Sequence, residues 1–405
     1  MLLDYELIEK LTEEYGSPLY VFDEQGFIDN YKNLESTFKK IYENYQISYS
    51  YKTNYTPYIV SLVKQLGGYA EVVSGMEYHI AKKLGYSDAN IIFNGPNKGE
   101  DGIKALLNGS IINVDNLTEM QKICETALAY PEHFFEVGLR INIDVGQDFI
   151  SRFGIDLTEI PIAFKMVSEV NNLKVVGIHC HISRCRGLEA WRKRAKKMLE
   201  LADRYFEYPP KYIDLGSGMF GSMAPEFAAQ FDNIPTYEEY AQCVAGMFAE
   251  HYREIPPKDK PILFTEPGTT LVNRFVDFIG RVDTIKMVRG KNIAVLNCSE
   301  HNLGETCLLK ELPMQIVSDR EQQEYKDIDF TGYTCLEQDV MRKNYNGKLA
   351  VGDYVVFGNV GGYSNVLKPP FIWPNCAMIA VTPNGDVELM KQKETYEDIL
   401  HTYIF

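Results

Sequence analysis

The sequence predicts a (β/α)8 barrel followed by an all-β domain. Three observations carry that expectation. Between residues 46 and 265, short apolar runs alternate with amphipathic stretches of helical period. After Val272 the helical stretches stop, and short strand-like runs follow one another, punctuated by Gly and Asn turns. At 405 residues the chain is too long for one average core.

The candidate barrel strands are residues 46–51, 70–73, 90–93, 111–114, 137–143, 175–181, 212–215 and 262–265. Helical patterns occupy 56–66, 76–84, 189–206 and 236–252. Alternation of this kind is the signature of a (β/α)8 barrel, with a doubly wound sheet as its rival. The β-domain strands are expected at 275–288, 292–297, 315–317, 353–357 and 378–381. The run LYVF at 19–22, ahead of the first barrel helix, is expected to join them. The domains are therefore a barrel over 25–272 and a β-domain built from 1–24 plus 273–405.

Composition narrows the function. Hydrophobic residues at 45% and charged residues at 24% are ordinary for a globular enzyme. The formal net charge of −15 argues against nucleic acid or an anionic membrane as partner. No run approaches the roughly 18 apolar residues of a membrane span. The start, MLLDYELIEKLTEEYG, is acidic and amphipathic and lacks the order of a signal peptide, so a cytoplasmic protein is expected. The eight cysteines form no C-x-x-C pair, and free thiols are the default.

Barrel chemistry sits where strands end. Lys52 follows the run QISYSY, where burial would favour the neutral amine needed for an imine. Taken alone it reads as a surface lysine. His179 and His181 stand two apart in HCHIS and share a face if the strand continues through them. They suit a metal, with Cys185 as a third ligand, or a ring stacked on a flat cofactor. Gly216, Ser217 and Gly218 form a small-residue turn, of the kind that lets backbone amides approach a phosphate. Glu266 opens TEPG after the eighth strand, either as a ring-nitrogen partner or as a plain turn residue. Cys335 lies in GYTCLEQD and Tyr363 in GGYSN.

In their order along the chain these runs resemble one family. YKTN, YAEVVSGMEY, FNGPNK, NVDN, RFGI, HCHIS, DLGSGMFG, EPG, GYTCLEQD and GGYSN look like the pyridoxal-phosphate-dependent decarboxylases of the diaminopimelate and ornithine decarboxylase group. The resemblance implies an alanine-racemase-like (type III) fold, a TIM-like barrel plus a β-domain. It implies pyridoxal 5'-phosphate as cofactor, an amino acid as small-molecule substrate, no metal, and a head-to-tail homodimer with shared active sites. By the same resemblance Lys52 forms the Schiff base, and Glu71 is the acid beside it. His181 stacks on the pyridine ring. Residues Gly216 to Gly218 hold the phosphate, with Ser217 in place of a glycine. Glu266 partners the ring nitrogen, and Tyr363 contacts the phosphate. Cys335, from the second subunit, reprotonates the substrate carbon. A racemase of the same fold would carry an arginine where Glu266 stands.

Three departures bear on the substrate. Thr269 stands where relatives carry an arginine after EPG. HISR replaces HIGS, so Arg184 is expected to supply the missing charge to the phosphate. Leu336 stands where relatives carry an acid after the cysteine, with Glu337 and Asp339 beyond it. If that segment is extended, Glu337 points away from where Leu336 points. The R-x-x-x-Y pair that reads a second carboxylate is absent, and its stretch reads NCSEHNLGETCLL, where His301 and Asn302 are substrate contacts or a β-turn. These changes imply a non-standard, conjugated or diamino acid. The alternative is diaminopimelate itself, as in lysine biosynthesis.

Overall fold

A computed structural model describes residues 3–405. They form two compact units. One holds Tyr31–Gly221 and Asn233–Thr270; the other holds the described residues up to Asn30, with Ser222–Asp232 and Leu271–Phe405.

The first strand, β1 (Leu19–Asp23), belongs to the second unit. The first unit is built on β2 (Tyr45–Ser50), β3 (Tyr69–Val72), β4 (Ile91–Phe93), β5 (Ile111–Val114), β6 (Phe135–Arg140), β7 (Leu173–His179), β8 (Tyr212–Asp214) and β9 (Ile262–Thr265). They close into one parallel barrel, β2 pairing with β9 through Tyr45 and Leu263. The helices between them fall on the expected amphipathic patterns, for example Leu188–Tyr205 and Tyr237–His251. The latter begins with a capping box of Thr236 and Glu239.

Packed side chains fill the barrel below the strand ends. Tyr212, Ile92, Val176 and Phe264 form one buried cluster. The Tyr212 hydroxyl donates to Asn113 Oδ1 at 2.7 Å. Glycine on the neighbouring strands makes room for that ring. A Cβ at Gly177 would strike the Tyr212 ring, and one at Gly138 would strike its hydroxyl and Asn113.

The second unit is a sheet of nine strands. It adds β10 (Val276–Val288), β11 (Lys291–Leu296), β12 (Met314–Val317), β13 (Gln323–Thr331), β14 (Val340–Leu349), β15 (Tyr354–Phe357), β16 (Ala377–Val381) and β17 (Val387–Lys391). The order is β14-β13-β11-β10-β1-β16-β17, with β15 on β10 and β12 on β15. β1 lies antiparallel to β10 and parallel to β16, so the N-terminal strand does join this sheet. Helix Tyr5–Tyr15, capped by Asp4, buries Ile8 and Leu11 against it.

The sequence patterns missed β13, β14 and β17. Few of their side chains are buried: in QEYKDIDFT only Ile328 and Phe330 are. Two expected barrel strands also end early, β6 at Arg140 and β7 at His179.

Candidate active site

β2 stops at Ser50, and Lys52 sits in a short 3-10 turn, Tyr51–Thr53, rather than directly on a strand end. That turn brings its amine onto Glu71, in β3. Ser50 Oγ donates to Glu71 Oε2 at 2.6 Å and accepts from Lys52 Nζ at 2.6 Å. The Glu71 side chain is buried.

A second group lies at the ends of β7, β8 and β9. Because β7 ends at His179, His181 is not on its strand, and the two imidazoles reach their common neighbour from different backbone geometry. That neighbour is Glu266. His179 Nε2 lies 3.2 Å from Glu266 Oε1, and His181 Nδ1 lies 3.4 Å from Oε2. Asn94 joins the two acidic groups: its Nδ2 donates to Glu266 Oε1 at 2.5 Å and to Glu71 Oε1 at 3.1 Å. Asn113 in turn donates to Asn94 Oδ1 at 2.9 Å. A buried hydrogen-bonded column therefore runs from Tyr212 through Asn113 and Asn94 to both carboxylates.

Electrostatics sort the charges in this group. Burial pushes the His181 imidazole down to about 4, against the pull of Glu266. Burial also depresses His179, and neither of its ring nitrogens makes a well-formed hydrogen bond. Burial pushes Asp214 well up, and the neighbouring Glu266 charge adds to that. On Glu266 burial acts upward too, but the two imidazoles and Lys52 outweigh it and hold the carboxyl well below its usual range. Asp214 is therefore the protonated member of the pair and Glu266 the anion. His179, Asp214 and Glu266 place ligand-type atoms within 4.8 Å of one another, so the third and fourth groups beside the imidazoles are carboxyls rather than Cys185.

The small-residue turn follows β8. Gly216 and Gly218 adopt φ of +64° and +102°, and a Cβ at Gly216 would meet Cys180 O at 2.5 Å. Asp214 Oδ1 accepts from Gly216 N at 2.8 Å, and Ser217 N donates to His181 Nδ1 at 3.3 Å. Glu266 N donates to Gly216 O at 2.8 Å, which ties the turn to the end of β9.

Lys52, Glu71, Asn94, His181 and Glu266 line one cavity of about 530 Å³. Gly216 to Gly218 lie beside His181, outside its lining. The cavity lining includes Phe153, whose ring has the Arg140 guanidinium at 4.6 Å and the Arg152 guanidinium at 4.1 Å from its centre. Arg184 is exposed, in left-handed backbone at φ 69°, and does not line the cavity.

The remaining expected residues belong to the sheet unit. Cys335 is exposed, on a bend between β13 and β14. The segment is not extended: residues 337 and 338 form a turn, which leaves Leu336 half-buried and Glu337 exposed. Asp339 is buried, and its carboxylate accepts from Glu300 N at 2.8 Å, Thr334 N at 3.2 Å and Thr334 Oγ1 at 2.6 Å. His301 is half-buried in a short helix, Glu300–Leu303, rather than a β-turn, because Ser299 and Asn302 cap each other there. Tyr363 is half-buried in left-handed backbone at φ 56°.

Asn94, Asn113, Asp214 and Arg140 were not singled out by their sequence. The first three lie in quoted runs (FNGPNK, NVDN, DLGSGMFG) and Arg140 lies in the expected strand 137–143, but only barrel closure shows that they face inward.

Comparison with known proteins bears on this site. The family model described as pyridoxal-dependent decarboxylase, pyridoxal binding domain, matches residues 29–273. Diaminopimelate decarboxylase of Methanocaldococcus jannaschii is 27% identical, over 98% of this chain and 93% of that enzyme. The Aquifex aeolicus enzyme of the same name is 24% identical, over 97% and 93%. A crystal structure of the M. jannaschii decarboxylase superposes with a TM-score of 0.85 at 27% identity, covering 98% of this chain and 94% of that one. A lysine decarboxylase from Selenomonas ruminantium shares the fold, at TM-score 0.77 and 19% identity over 95% and 98%.

Proposed function

The chain belongs to the pyridoxal-dependent decarboxylases, and we propose that Lys52, Glu71, His181, Glu266 and the 216–218 turn hold pyridoxal 5'-phosphate for the α-decarboxylation of an amino acid. One observation carries these assignments. Glu266 is a buried carboxyl with His179 Nε2 at 3.2 Å from one oxygen and His181 Nδ1 at 3.4 Å from the other, and it lines the same cavity as Lys52. A buried carboxylate in such a place calls for a cation, and a protonated ring nitrogen supplies one.

The residues fit the cofactor. Lys52 offers the amine and Glu71 the acid that holds a proton at Lys52 Nζ. His181 offers a flat ring in the cavity wall, and the glycine turn offers backbone that no larger residue could adopt. The chemistry the cofactor supplies is a sink for the electron pair left on the substrate Cα when the carboxylate departs as carbon dioxide. Glu266 holds the ring-nitrogen proton that keeps the sink deep, which favours decarboxylation over the arginine-paired racemase chemistry of the same fold. Cys335 Sγ delivers the proton to Cα, and Tyr363 donates to the phosphate.

Cys335 acts from a second copy of the chain, in a head-to-tail homodimer. The substrate is a non-standard, conjugated or diamino acid. Leu336 cannot bind a distal amine as an acid would, and Glu337 lies exposed beside it. Diaminopimelate is the second candidate, favoured by the relatives of that name that align with nearly the whole chain. In the test, carbon dioxide release is measured from a panel of diamino acids, conjugated amino acids and diaminopimelate. The purified protein is expected to show the cofactor's visible absorbance, and Lys52→Ala to lose both absorbance and release. Undiminished release by Lys52→Ala would reject the lysine, and release from diaminopimelate alone would reject the divergent substrate.

A further inference from the structure

Arg194 lies on helix Leu188–Tyr205 and is completely buried. Among the described residues no carboxylate lies within ion-pair distance of its guanidinium. Its partners are carbonyls: Nη1 donates to Leu215 O and Ser217 O, each at 2.8 Å, and Nη2 donates to Ile182 O at 3.2 Å. The guanidinium also stacks on the Trp191 ring at 4.2 Å. Trp191 Nε1 donates to Gly218 O at 3.2 Å.

Two consequences follow. In a trans peptide the carbonyl of one residue and the N–H of the next point in opposite directions. With the carbonyls of 215, 217 and 218 drawn toward Arg194 and Trp191, the N–H groups of Gly216, Ser217's neighbour Gly218, and Met219 are turned the other way. Gly216 N is spent on Asp214, which leaves those of Gly218 and Met219 aimed away from the helix. The second consequence concerns charge. A buried cation with only carbonyl partners is costly unless an anion lies near. The polarised peptides between them carry its field to whatever their amides face.

We propose that Arg194 is the buried counter-charge of the cofactor's phosphate, acting through the peptide planes of residues 215–219. It is a positioning residue: it orients the amides and supplies, from behind the turn, positive charge that the Thr269 position lacks. The ligand class is a phosphate monoester dianion. The proposal rests on the pyridoxal phosphate reading above.

The test separates phosphate recognition from simple structural support. Full-length protein stripped of cofactor is titrated with pyridoxal 5'-phosphate and with pyridoxal, which lacks the phosphate. Wild type is expected to prefer the phosphate ester strongly. Arg194→Gln keeps donors for the carbonyls but removes the charge, and should lower that preference by about tenfold or more. Arg194→Lys should restore most of it. Inorganic phosphate should compete with the ester in wild type and less in Arg194→Gln. An Arg194→Gln protein whose preference equals that of wild type, or that loses affinity for both ligands equally, would overturn the proposal. If Arg194→Gln does not fold, Trp191→Phe decides: it leaves the charge, keeps an aromatic ring for the guanidinium to stack on, and removes the donor to the Gly218 carbonyl. It should cost the ester a few-fold, on the scale of one hydrogen bond, and cost pyridoxal nothing. Equal effects on both ligands there reject the idea as well. Wild type with no preference for the ester would instead reject the cofactor assignment itself.

Discussion

The residues proposed to handle the cofactor divide into those the chain announces and those only the fold assembles. Lys52, Glu71, His181 and Glu266 stand in short runs whose order along the chain is distinctive, and the barrel brings them to one cavity. Asn94 and Asn113 do not stand out, because an Asn within an apolar run such as IINV is read as part of the strand. Its function comes from facing inward, where one amide bridges Glu71 and Glu266. The imidazoles give a pH dependence. An unfolded His takes up its proton near 6.5, whereas burial holds His181 off until about 4. Between these values the unfolded chain binds more protons. The stability contributed by His181 is therefore complete above 6.5 and lost as pH falls toward 4. Thermal melts of cofactor-free protein across that window should drop more steeply for wild type than for His181→Asn. At the same scale, Cys335→Ala should lower product formation or divert it to side products while cofactor absorbance persists. Unchanged turnover and product ratio would remove Cys335 as the proton donor.

At the scale of elements, the barrel strands were legible because short apolar runs alternate with helical patterns. Their exact ends were not. β7 stops at His179, and Lys52 rides a 3-10 turn, because local hydrogen bonding rather than polarity decides where a strand ends. β13 and β14 escaped notice because few of their side chains are buried, which removes the alternation that marks a strand. Two elements invite measurement. β6 and β7 each give up a side chain to admit Tyr212. Gly177→Ala should therefore destabilise the fold by ~1–3 kcal/mol in denaturant titration, the usual cost of overpacking. The bend carrying Cys335 is held by Asp339, whose carboxylate is used by Glu300 and Thr334. Asp339→Ala leaves those donors unpaired and should cost ~1–3 kcal/mol. It should also speed amide exchange at Thr334, and wild-type exchange there would show that the bend is held by something else.

For the whole molecule, the two-part architecture was legible from the change of pattern after Val272, whereas the sheet order was not. The central place of β1, between β10 and β16, depends on pairings far apart in sequence. A shared-site dimer makes a sharp prediction. Lys52→Ala and Cys335→Ala should each be impaired alone. Mixed after dissociation, they should recover about a quarter of wild-type activity, since half of randomly formed dimers are mixed and each of those has one intact site. Failure to recover would mean that each chain completes its own site. The packed layer around Tyr212 has a consequence for traffic. A tube plugged at its base lets nothing through along its axis. Neither the amino acid nor the gas released from it can cross that floor, so all traffic in each turnover stays on the strand-end side.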